Sequence, residues 1–205
     1  MDSNSPADAR RLAPATRRNR APILAVLRSA LPPAGLVLEL ASGTGEHATF
    51  FAEHLAELTW QPSDPDPQAR ASIAAWQAAA PLANLLPPLA LDAAAADWPI
   101  ASADALVCIN MVHISPWAAT LGLLRGAGRL LPKGAPLVLY GPFRRAGAAL
   151  ETSNAAFDAD LRRRNPEWGL RLLEDITACA CVQGLVLEQV IAMPANNLTV
   201  VLRKA

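Results

Sequence analysis

The stretch that decides the fold is VLELASGTGEH, residues 37–47. It begins with an apolar run that is typical of a buried strand, and its last two residues, Glu46 and His47, begin a helical pattern. Between the two lies a turn of small residues, Ala41 to Gly45, which allows a ligand to approach the backbone closely. The first turn of the following helix offers unpaired N–H groups. The stretch therefore predicts a strand, a glycine-containing turn and a helix that together form a nucleotide-binding element.

Glu39, at the end of the predicted strand, distinguishes two kinds of nucleotide site. A carboxylate there suits a ligand with an ammonium group nearby, such as the methionine part of S-adenosylmethionine. A dinucleotide site binds phosphate at this turn and has no evident use for that charge. The spacing G-x-G-x-x-A over residues 43–48 also matches the looser dinucleotide fingerprint, so an NAD(P)-dependent oxidoreductase stays open. Tyr140 is followed by Arg144, not by the lysine of a reductase Tyr-x-x-x-Lys, which weakens that alternative.

Length and composition limit the class of protein. The 205 residues are 52% hydrophobic, which fits one domain with a closed core. The net charge is zero, so the composition gives no electrostatic support for a nucleic-acid or anionic membrane partner. We expect residues 1–16 to form a flexible N-terminal arm and residues 17–205 a single domain. With no secretory-signal pattern and no apolar run long enough to span a membrane, the sequence predicts a cytoplasmic protein and leaves its oligomeric state open.

Strand and helix patterns alternate along the chain. The predicted helices cover residues 18–30, 46–58, 68–80, 115–131 and 173–183. The fourth is expected to have Ser115 as its N-cap and Pro116 at its first position. The predicted strands cover residues 36–40, 59–61, 85–91, 105–110, 136–140, 185–192 and 198–203. This order predicts an α/β, Rossmann-like fold with a seven-stranded, mostly parallel sheet and an antiparallel last strand.

Polar residues follow the ends of the predicted strands, which is where ligands bind to such sheets. Asp64 follows the second strand, and an acid there accepts hydrogen bonds from both hydroxyls of a ribose. Asp92 follows the third and is expected to accept from the exocyclic amine of an adenine, with the N–H of Ala93 facing the ring. Asn110 and Met111 follow the fourth, where the reactive group of a cofactor meets its substrate. A turn-forming role for Asp64 and a helix cap at Asp92 are the alternatives.

The layout resembles the class I S-adenosylmethionine-dependent methyltransferases, with ELASGTG at residues 39–45 as the first motif. Ala41 replaces the first of three usual glycines, and an alanine is tolerated there if its φ is negative. More closely, the chain resembles the methyltransferase-like twenty-six family through strings that span residues 18–197: RNRAPIL, LELASGTGEHA, WQPSD, INMVHISPW, LYGPF, SNAAFD, WGLR and MPANN. The resemblance implies the fold, S-adenosylmethionine as the cofactor and methyl transfer, and it leaves the acceptor open. The predicted cofactor-binding residues are Glu39, Ala41, Ser42, Gly43, Gly45, Asp64, Asp92, Ala93, Asn110 and Met111.

Methyl transfer is an in-line displacement at a sulfonium carbon, so the protein has to position the nucleophile and remove its proton. His113 is the candidate base, because an unperturbed pKa near ~6.5 suits neutral pH; a helix-capping role is the alternative. Asn110 is a candidate for holding a substrate amine or hydroxyl, or for binding the backbone atoms of the cofactor. Tyr140 is a candidate for lining the acceptor pocket, with plain burial as the alternative. Asn19 and Arg20 are candidates for a lid over the cofactor.

The far end of the chain offers candidates for acceptor binding. Asn196 and Asn197 are expected to face the acceptor, with a structural β-turn as the alternative. Residues 141–172 form an irregular excursion of the kind that sets substrate specificity, and Trp168 within it is expected to pack in the core. No metal site is predicted. The leading hypothesis is a methyltransferase with a small-molecule acceptor, and the second is an S-adenosylmethionine-binding protein without turnover.

Overall fold

A computed structural model of the chain describes residues 9–205. Six helices lie within that range: α1 Pro14–Ala30, α2 Glu46–His54, α3 Pro67–Ala79, α4 Trp117–Leu130, α5 Thr152–Arg164 and α6 Leu173–Val182. Six strands lie there as well: β1 Gly35–Leu40, β2 Leu58–Pro62, β3 Ala105–Ile109, β4 Pro136–Gly141, β5 Leu185–Met193 and β6 Asn197–Lys204. A single 3-10 turn, Pro194–Asn196, joins β5 to β6. The alternation of strands and helices confirms the predicted α/β class.

All six strands form one mixed sheet in the order β2-β1-β3-β4-β6-β5. The first four strands run parallel, with Leu38 beside both Gln61 and Leu106. β6 is antiparallel to β4 and to β5, which confirms the predicted antiparallel end of the sheet. The carboxyl ends of β1 to β4 and the β5–β6 turn therefore meet at one edge.

Both faces of the sheet are covered by helices, which is why the central strand is apolar throughout. Along β3, Leu106 and Cys108 pack into the core on the side of α4 and α6. Val107 and Ile109 point the other way, into the core that α1 and α2 cover. The sheet thus becomes a rigid platform for the residues that follow its strands.

The described residues contain six strands, so the predicted seven-stranded sheet is wrong. The expected third strand, residues 85–91, makes only two isolated parallel bridges beside β2, Trp60 with Leu85 and Ser63 with Leu89. Pro87-Pro88 lie between the bridges, and proline cannot donate the N–H that a continuous ladder needs. The segment still follows the sheet edge and still carries Asp92 to its carboxyl end.

The predicted N-terminal boundaries move as well. Residues 1–8 of the predicted arm lie outside the described residues. The first helix begins at Pro14, which stands in its first turn, and not near residue 18. Before it, the N–H of Arg11 donates to Ser72 Oγ at 2.8 Å, and the N–H of Ala13 donates to Glu46 Oε2 at 2.6 Å. The backbone before the helix is therefore hydrogen-bonded to the domain at residues 11 and 13, although Leu12 between them is 58% exposed.

The excursion expected to be irregular contains a helix, α5. Its sequence gives little helical periodicity because most of its side chains are exposed and only Asn154 and Leu161 are buried. Charged pairs one turn apart, such as Arg162 with Asp158, support it from its own surface. The expected cap at Ser115 is also wrong: Ser115 Oγ donates to the carbonyl of Met111 at 2.8 Å, and α4 begins two residues later.

Candidate functional site

A cavity of about 450 Å³ lies at the carboxyl ends of β1, β2 and β3. Six of the ten predicted cofactor-binding residues line it: Ala41, Gly43, Asp64, Asp92, Ala93 and Met111. Its remaining walls are mostly apolar and include Leu40, Leu91, Ile109, Ile114, Ala118 and Trp168. The structure thus brings the strand-end residues of the sequence prediction into one concave site of the size that small ligands use.

The turn after β1 is built from left-handed backbone. Gly43 and Gly45 have φ of 57° and 89°, a conformation that glycine adopts at little cost. Ala41 has φ of 53°, so the condition under which alanine is tolerated at this position, a negative φ, is not met, and the alanine is strained. A Cβ at Gly45 would lie 2.8 Å from the Cα of Ile73, whereas a Cβ at Gly43 would meet nothing closer than 4.0 Å. Gly45 therefore lets α3 pack against the turn, and Gly43 leaves open space at the cavity.

Asp64 connects the turn after β1 with the end of β2. Its Oδ2 accepts from the N–H of Gly43 at 3.0 Å, and its Oδ1 accepts from the N–H of Asp66 at 2.9 Å. Burial raises the pKa of this carboxyl above its usual value, and the two backbone hydrogen bonds oppose that effect. Ser42 joins the same two turns, because its Oγ accepts from the N–H of Ser63 at 3.1 Å. Each carboxylate oxygen of Asp64 keeps a lone pair for a ligand at the cavity.

Asp92 and Ala93 form the wall opposite Asp64. The Asp92 side chain is exposed, and its Oδ1 accepts from the N–H of Ala94 at 2.8 Å in a local turn. No helix follows directly, so the alternative of a helix cap at Asp92 does not hold. Gly122 of α4 fixes this turn from behind: a Cβ there would lie 1.9 Å from the carbonyl oxygen of Ala93. The helix therefore packs directly on the backbone of the wall.

Glu39 lies behind the cavity wall and is 1% exposed. Its Oε2 accepts from the indole N–H of Trp60 at 2.9 Å. Burial raises the pKa of Glu39 to about 7, although hydrogen bonds from Trp60 and Ser42 act in the opposite direction. Glu39 therefore belongs to the support of the turn. Three other predicted cofactor-binding residues do not line the cavity either: Ser42, Gly45 and Asn110.

The loop after β3 carries Asn110 and His113 to the end of β4. Asn110 has a left-handed backbone, φ 63°, which directs this loop across the sheet edge. A Cβ at Gly141 would lie 2.9 Å from Cε1 of His113, 3.0 Å from its Nδ1 and 3.6 Å from Oδ1 of Asn110. The absence of a side chain at Gly141 thus makes room for two of the three predicted catalytic groups, His113 and Asn110, which lie together.

His113 is 3% exposed, and its Nδ1 has no hydrogen-bond partner among the described residues. Burial lowers the pKa of His113 to about 4, with the positive charge of Arg171 adding to the effect. The imidazole is therefore neutral at pH 7 and holds a lone pair or a proton that the protein does not use. An unpartnered nitrogen in such a position is a recognised sign of a functional group.

Tyr140, Asn19 and His47 form a separate buried group under the sheet. Nε2 of His47 lies 2.9 Å from Oδ1 of Asn19, and the side chain of Asn19 hydrogen-bonds the phenol of Tyr140. Burial raises the pKa of Tyr140 and lowers that of His47 to about 4. Arg20 stacks its guanidinium on Phe50, with Cζ 4.5 Å from the ring centroid. The predicted site residues of this group do not line the 450 Å³ cavity: Tyr140, Asn19 and Arg20.

A second cavity, of about 750 Å³, opens at the same edge of the sheet beyond β4, β5 and β6. It brings together Asn196 and Asn197, the candidates for acceptor binding, with Asn154 of α5. It also contains Arg144 and Arg145, which were not among the predicted site residues. Trp168, expected in the core, is only half-buried and lines the first cavity.

Residues 9–205 contain no candidate metal site, no membrane-spanning helix and no disulfide. No group of three or more His, Cys, Asp and Glu side chains in this range is arranged to hold a metal ion. Over the same residues, no helix combines the length and apolar character needed to cross a bilayer. Cys108, Cys179 and Cys181 are all free thiols, and burial raises the pKa of Cys108 to about 12.

The fold and the strand-end cavity define a class: an α/β protein whose mixed sheet resembles that of the class I methyltransferases. Within that class, residues 10–204 match the family described as "Protein of unknown function (DUF938)", and the chain belongs to this family. The closer resemblance to the methyltransferase-like twenty-six family stays a prediction.

Solved methyltransferase structures share this fold. An O-methyltransferase family protein from Burkholderia thailandensis matches with a TM-score of 0.78, covering 93% of this chain and 57% of its own length at 17% identity. Human N-acetylserotonin methyltransferase in complex with SAM gives 0.77, with 93% and 53% covered at 14% identity. CalO1, a methyltransferase in calicheamicin biosynthesis in its SAH-bound form, gives 0.71, with 92% and 54% covered at 16% identity. The chain spans little more than half the length of these proteins, and the likeness establishes the fold.

Proposed function

We propose that this protein is an S-adenosylmethionine-dependent methyltransferase that acts on a small-molecule acceptor by in-line transfer. The observation that carries the proposal is the 450 Å³ cavity in which the glycine turn, Asp64 and Asp92 meet at the carboxyl ends of the strands. The likeness of the fold to methyltransferases supports it, among them the human N-acetylserotonin enzyme in complex with SAM.

The residues of the cavity fit the parts of this cofactor. The free lone pairs of Asp64 suit two ribose hydroxyls, since a carboxylate accepts two hydrogen bonds in parallel. The unpaired oxygen of Asp92 suits an exocyclic amine, with the backbone of Ala93 beside it. Leu91 and Ile114 offer apolar walls for the faces of an adenine ring. When bound, the cofactor supplies an electrophilic methyl group on a sulfonium.

His113 and Asn110 take the roles on the acceptor side of this proposal. A neutral imidazole with a free nitrogen can accept a hydrogen bond from a hydroxyl or amine, and so can Oδ1 of Asn110 nearby. A pKa of about 4 makes His113 a weak proton acceptor at pH 7. We therefore assign it to orienting the nucleophile through a hydrogen bond, while the proton of the nucleophile leaves to solvent water.

One observation favours the second candidate, a protein that binds S-adenosylmethionine without turnover. His113 has a lowered pKa, and Tyr140 is buried and already bonded to Asn19, so neither is a strong base at neutral pH. Glu39, whose pKa of about 7 suits a base, lies behind the cavity wall. Without a strong base, turnover would depend on how the site positions the nucleophile against the methyl group. A protein that only binds S-adenosylmethionine requires neither a base nor that positioning.

A turnover assay separates the two candidates. The wild-type protein is incubated with S-adenosylmethionine carrying an isotopically labelled methyl group and with pooled metabolites, and labelled products are followed by mass spectrometry. We expect a labelled product and, for His113→Gln, a loss of roughly 100-fold in rate with cofactor affinity unchanged. Cofactor binding with no labelled product from any pool supports the binding protein. A labelled product formed at the wild-type rate by His113→Gln removes His113 from the chemistry.

A further inference from the structure

We propose that the 750 Å³ cavity binds the methyl acceptor, and that the acceptor is a small molecule bearing both an anionic carboxylate or phosphate group and a hydroxyl or amine. This inference rests on the proposed function and specifies the substrate class of that site. It is carried by two unpaired cations, two oriented amides and a strained turn that all line this cavity.

The cations are Arg144 and Arg145. Among residues 9–205, neither guanidinium has a carboxylate within ion-pair distance, whereas the third arginine of the lining, Arg162, is bonded to Asp158 at 3.0 Å. Glu151 is the remaining acid of the lining and is exposed at its rim. The lining therefore carries a net positive charge, and its two free guanidinium groups suit a carboxylate or a phosphate.

The position of Arg144 is fixed by its backbone. Its N–H donates to the carbonyl of Arg171 at 2.9 Å, and its carbonyl accepts from the N–H of Leu173 at 2.9 Å. These two bonds form a β-bridge between the segment after β4 and the segment before α6. The guanidinium is thus attached to an ordered backbone and costs less entropy to place on a ligand than one on a free loop.

The amides are those of Asn154 and Asn197. Nδ2 of Asn154 donates to the carbonyl of Asn196 at 2.9 Å, and Nδ2 of Asn197 donates to the carbonyls of Pro194 and Ala195 at 3.0 and 3.2 Å. Because a carbonyl only accepts, these bonds fix which atom of each amide is nitrogen. The Oδ1 atoms are left as acceptors, and Asn154 is 8% exposed. Such acceptors suit the N–H or O–H of a methyl acceptor.

The turn between β5 and β6, to which both amides are hydrogen-bonded, contains strained backbone. Ala195 and Asn196 are consecutive residues with φ of 57° and 56°, a left-handed conformation that is costly for alanine and that asparagine tolerates. The hydrogen bond from Asn154 and that from Asn196 Nδ2 to Ser153 Oγ, at 3.2 Å, bind the turn to α5. Strain that the surroundings maintain at a cavity is a mark of a functional segment.

The second cavity adjoins the proposed chemistry. Phe143, in its lining, follows Gly141 by two residues, and Gly141 contacts His113. The ring of His113 also meets that of Phe157 edge-on, with centroids 5.7 Å apart, and Phe157 stands on α5 between Asn154 and Asp158, which both line the second cavity. His113 therefore lies beside the second cavity, and the next residue, Ile114, lines the first.

The test is NMR titration of the full-length, ¹⁵N-labelled protein with four probes: 4-hydroxybenzoate, 4-hydroxyphenyl phosphate, methyl 4-hydroxybenzoate and tyramine. We expect the two anionic probes to shift the side-chain NH₂ signals of Asn154 and Asn197, and the neutral ester and the cationic amine to bind at least roughly tenfold more weakly. The double variant Arg144→Gln/Arg145→Gln should weaken the anionic probes by roughly tenfold or more. Arg125→Gln, an exposed arginine of α4 outside the cavity, is the matched control and should bind as wild type.

The inference is overturned if the ester or tyramine binds as tightly as the anionic probes or more tightly. It is also overturned if the anionic probes do not shift the Asn154 and Asn197 signals, or if the double substitution does not change their affinity. Titration of the same samples with S-adenosylhomocysteine keeps this inference separate from the proposed function. If S-adenosylhomocysteine binds and the anions do not, the substrate class is wrong and the proposed cofactor stands. If the anions bind and S-adenosylhomocysteine does not, the cavity is an anion site in a protein that is not a methyltransferase.

Discussion

Replacing Glu39 by glutamine should make the protein more stable, and by an amount that grows with pH. In the native state the carboxyl is 1% exposed and accepts hydrogen bonds from Trp60 and Ser42. Glutamine has the same shape and keeps an oxygen that can accept hydrogen bonds, but it never carries a charge. The substitution therefore isolates the free energy of ionising a buried acid.

The size of the effect follows from the pKa of Glu39, which burial raises from 4.5 to about 7. A folded-state pKa above the unfolded value means that the contribution of the acid to stability is complete below pH ~4.5 and is lost as the pH rises through about 7. Each unit of difference is worth about 1.4 kcal/mol, so the full loss is on the order of 3 kcal/mol. Between pH 5 and pH 8 we expect about 2–3 kcal/mol of it.

The assay is urea unfolding of wild type and of Glu39→Gln at pH 5 and at pH 8. The free energy of unfolding of the variant relative to wild type should rise by about 2–3 kcal/mol between the two pH values. Glu57→Gln, at an exposed glutamate in the loop before β2, serves as the control for removal of a surface carboxylate and should show little change. A difference between Glu39→Gln and wild type that is the same at both pH values would refute the reasoning about this buried acid.

Three glycine and alanine positions give further predictions. Ala41→Gly should raise the free energy of unfolding by about 0.5–1 kcal/mol, because removing the strain of a left-handed alanine outweighs the greater loss of backbone entropy when a glycine folds. A loss of stability in chemical denaturation would contradict a left-handed backbone at residue 41. Gly45→Ala should lower it by about 2–4 kcal/mol, since the new Cβ meets the Cα of Ile73 at 2.8 Å, and a melting temperature equal to wild type would speak against this packing. Gly141→Ala should displace the ring of His113 and shift its imidazole NMR signals; unchanged signals in the folded variant would place the ring elsewhere.

The sequence predicted the parallel part of the fold because its determinants are local. Apolar runs such as residues 105–109 and the small-residue turn at 41–45 specify strand and turn without knowledge of the rest of the chain. The strand ends then predicted which residues meet, and Asp64 and Asp92 do line one cavity. The predicted strand at residues 85–91 does not form for an equally local reason, because Pro87-Pro88 interrupt the hydrogen-bond ladder that it would need.

Other features depend on tertiary contacts that a sequence does not display. Glu39 was predicted to face the ligand, but the side on which a strand residue emerges is set by the whole sheet, and here that side holds Trp60. Helix α5 has few buried residues, so its periodicity is weak, although it supplies Asn154 to the second cavity. Arg144 and Arg145 gain meaning only through the cavity that the β5–β6 turn and α5 complete.

The measurement that tests the central claim most directly is calorimetric titration of the protein with S-adenosylmethionine, S-adenosylhomocysteine and NADH. We predict micromolar binding of the first two and none of NADH. Asp64→Asn should weaken that binding by roughly 10- to 100-fold, whereas Asp97→Asn, an exposed aspartate outside the cavity, should leave it unchanged. Binding of NADH alone, or of none of the three to folded protein, would contradict the account.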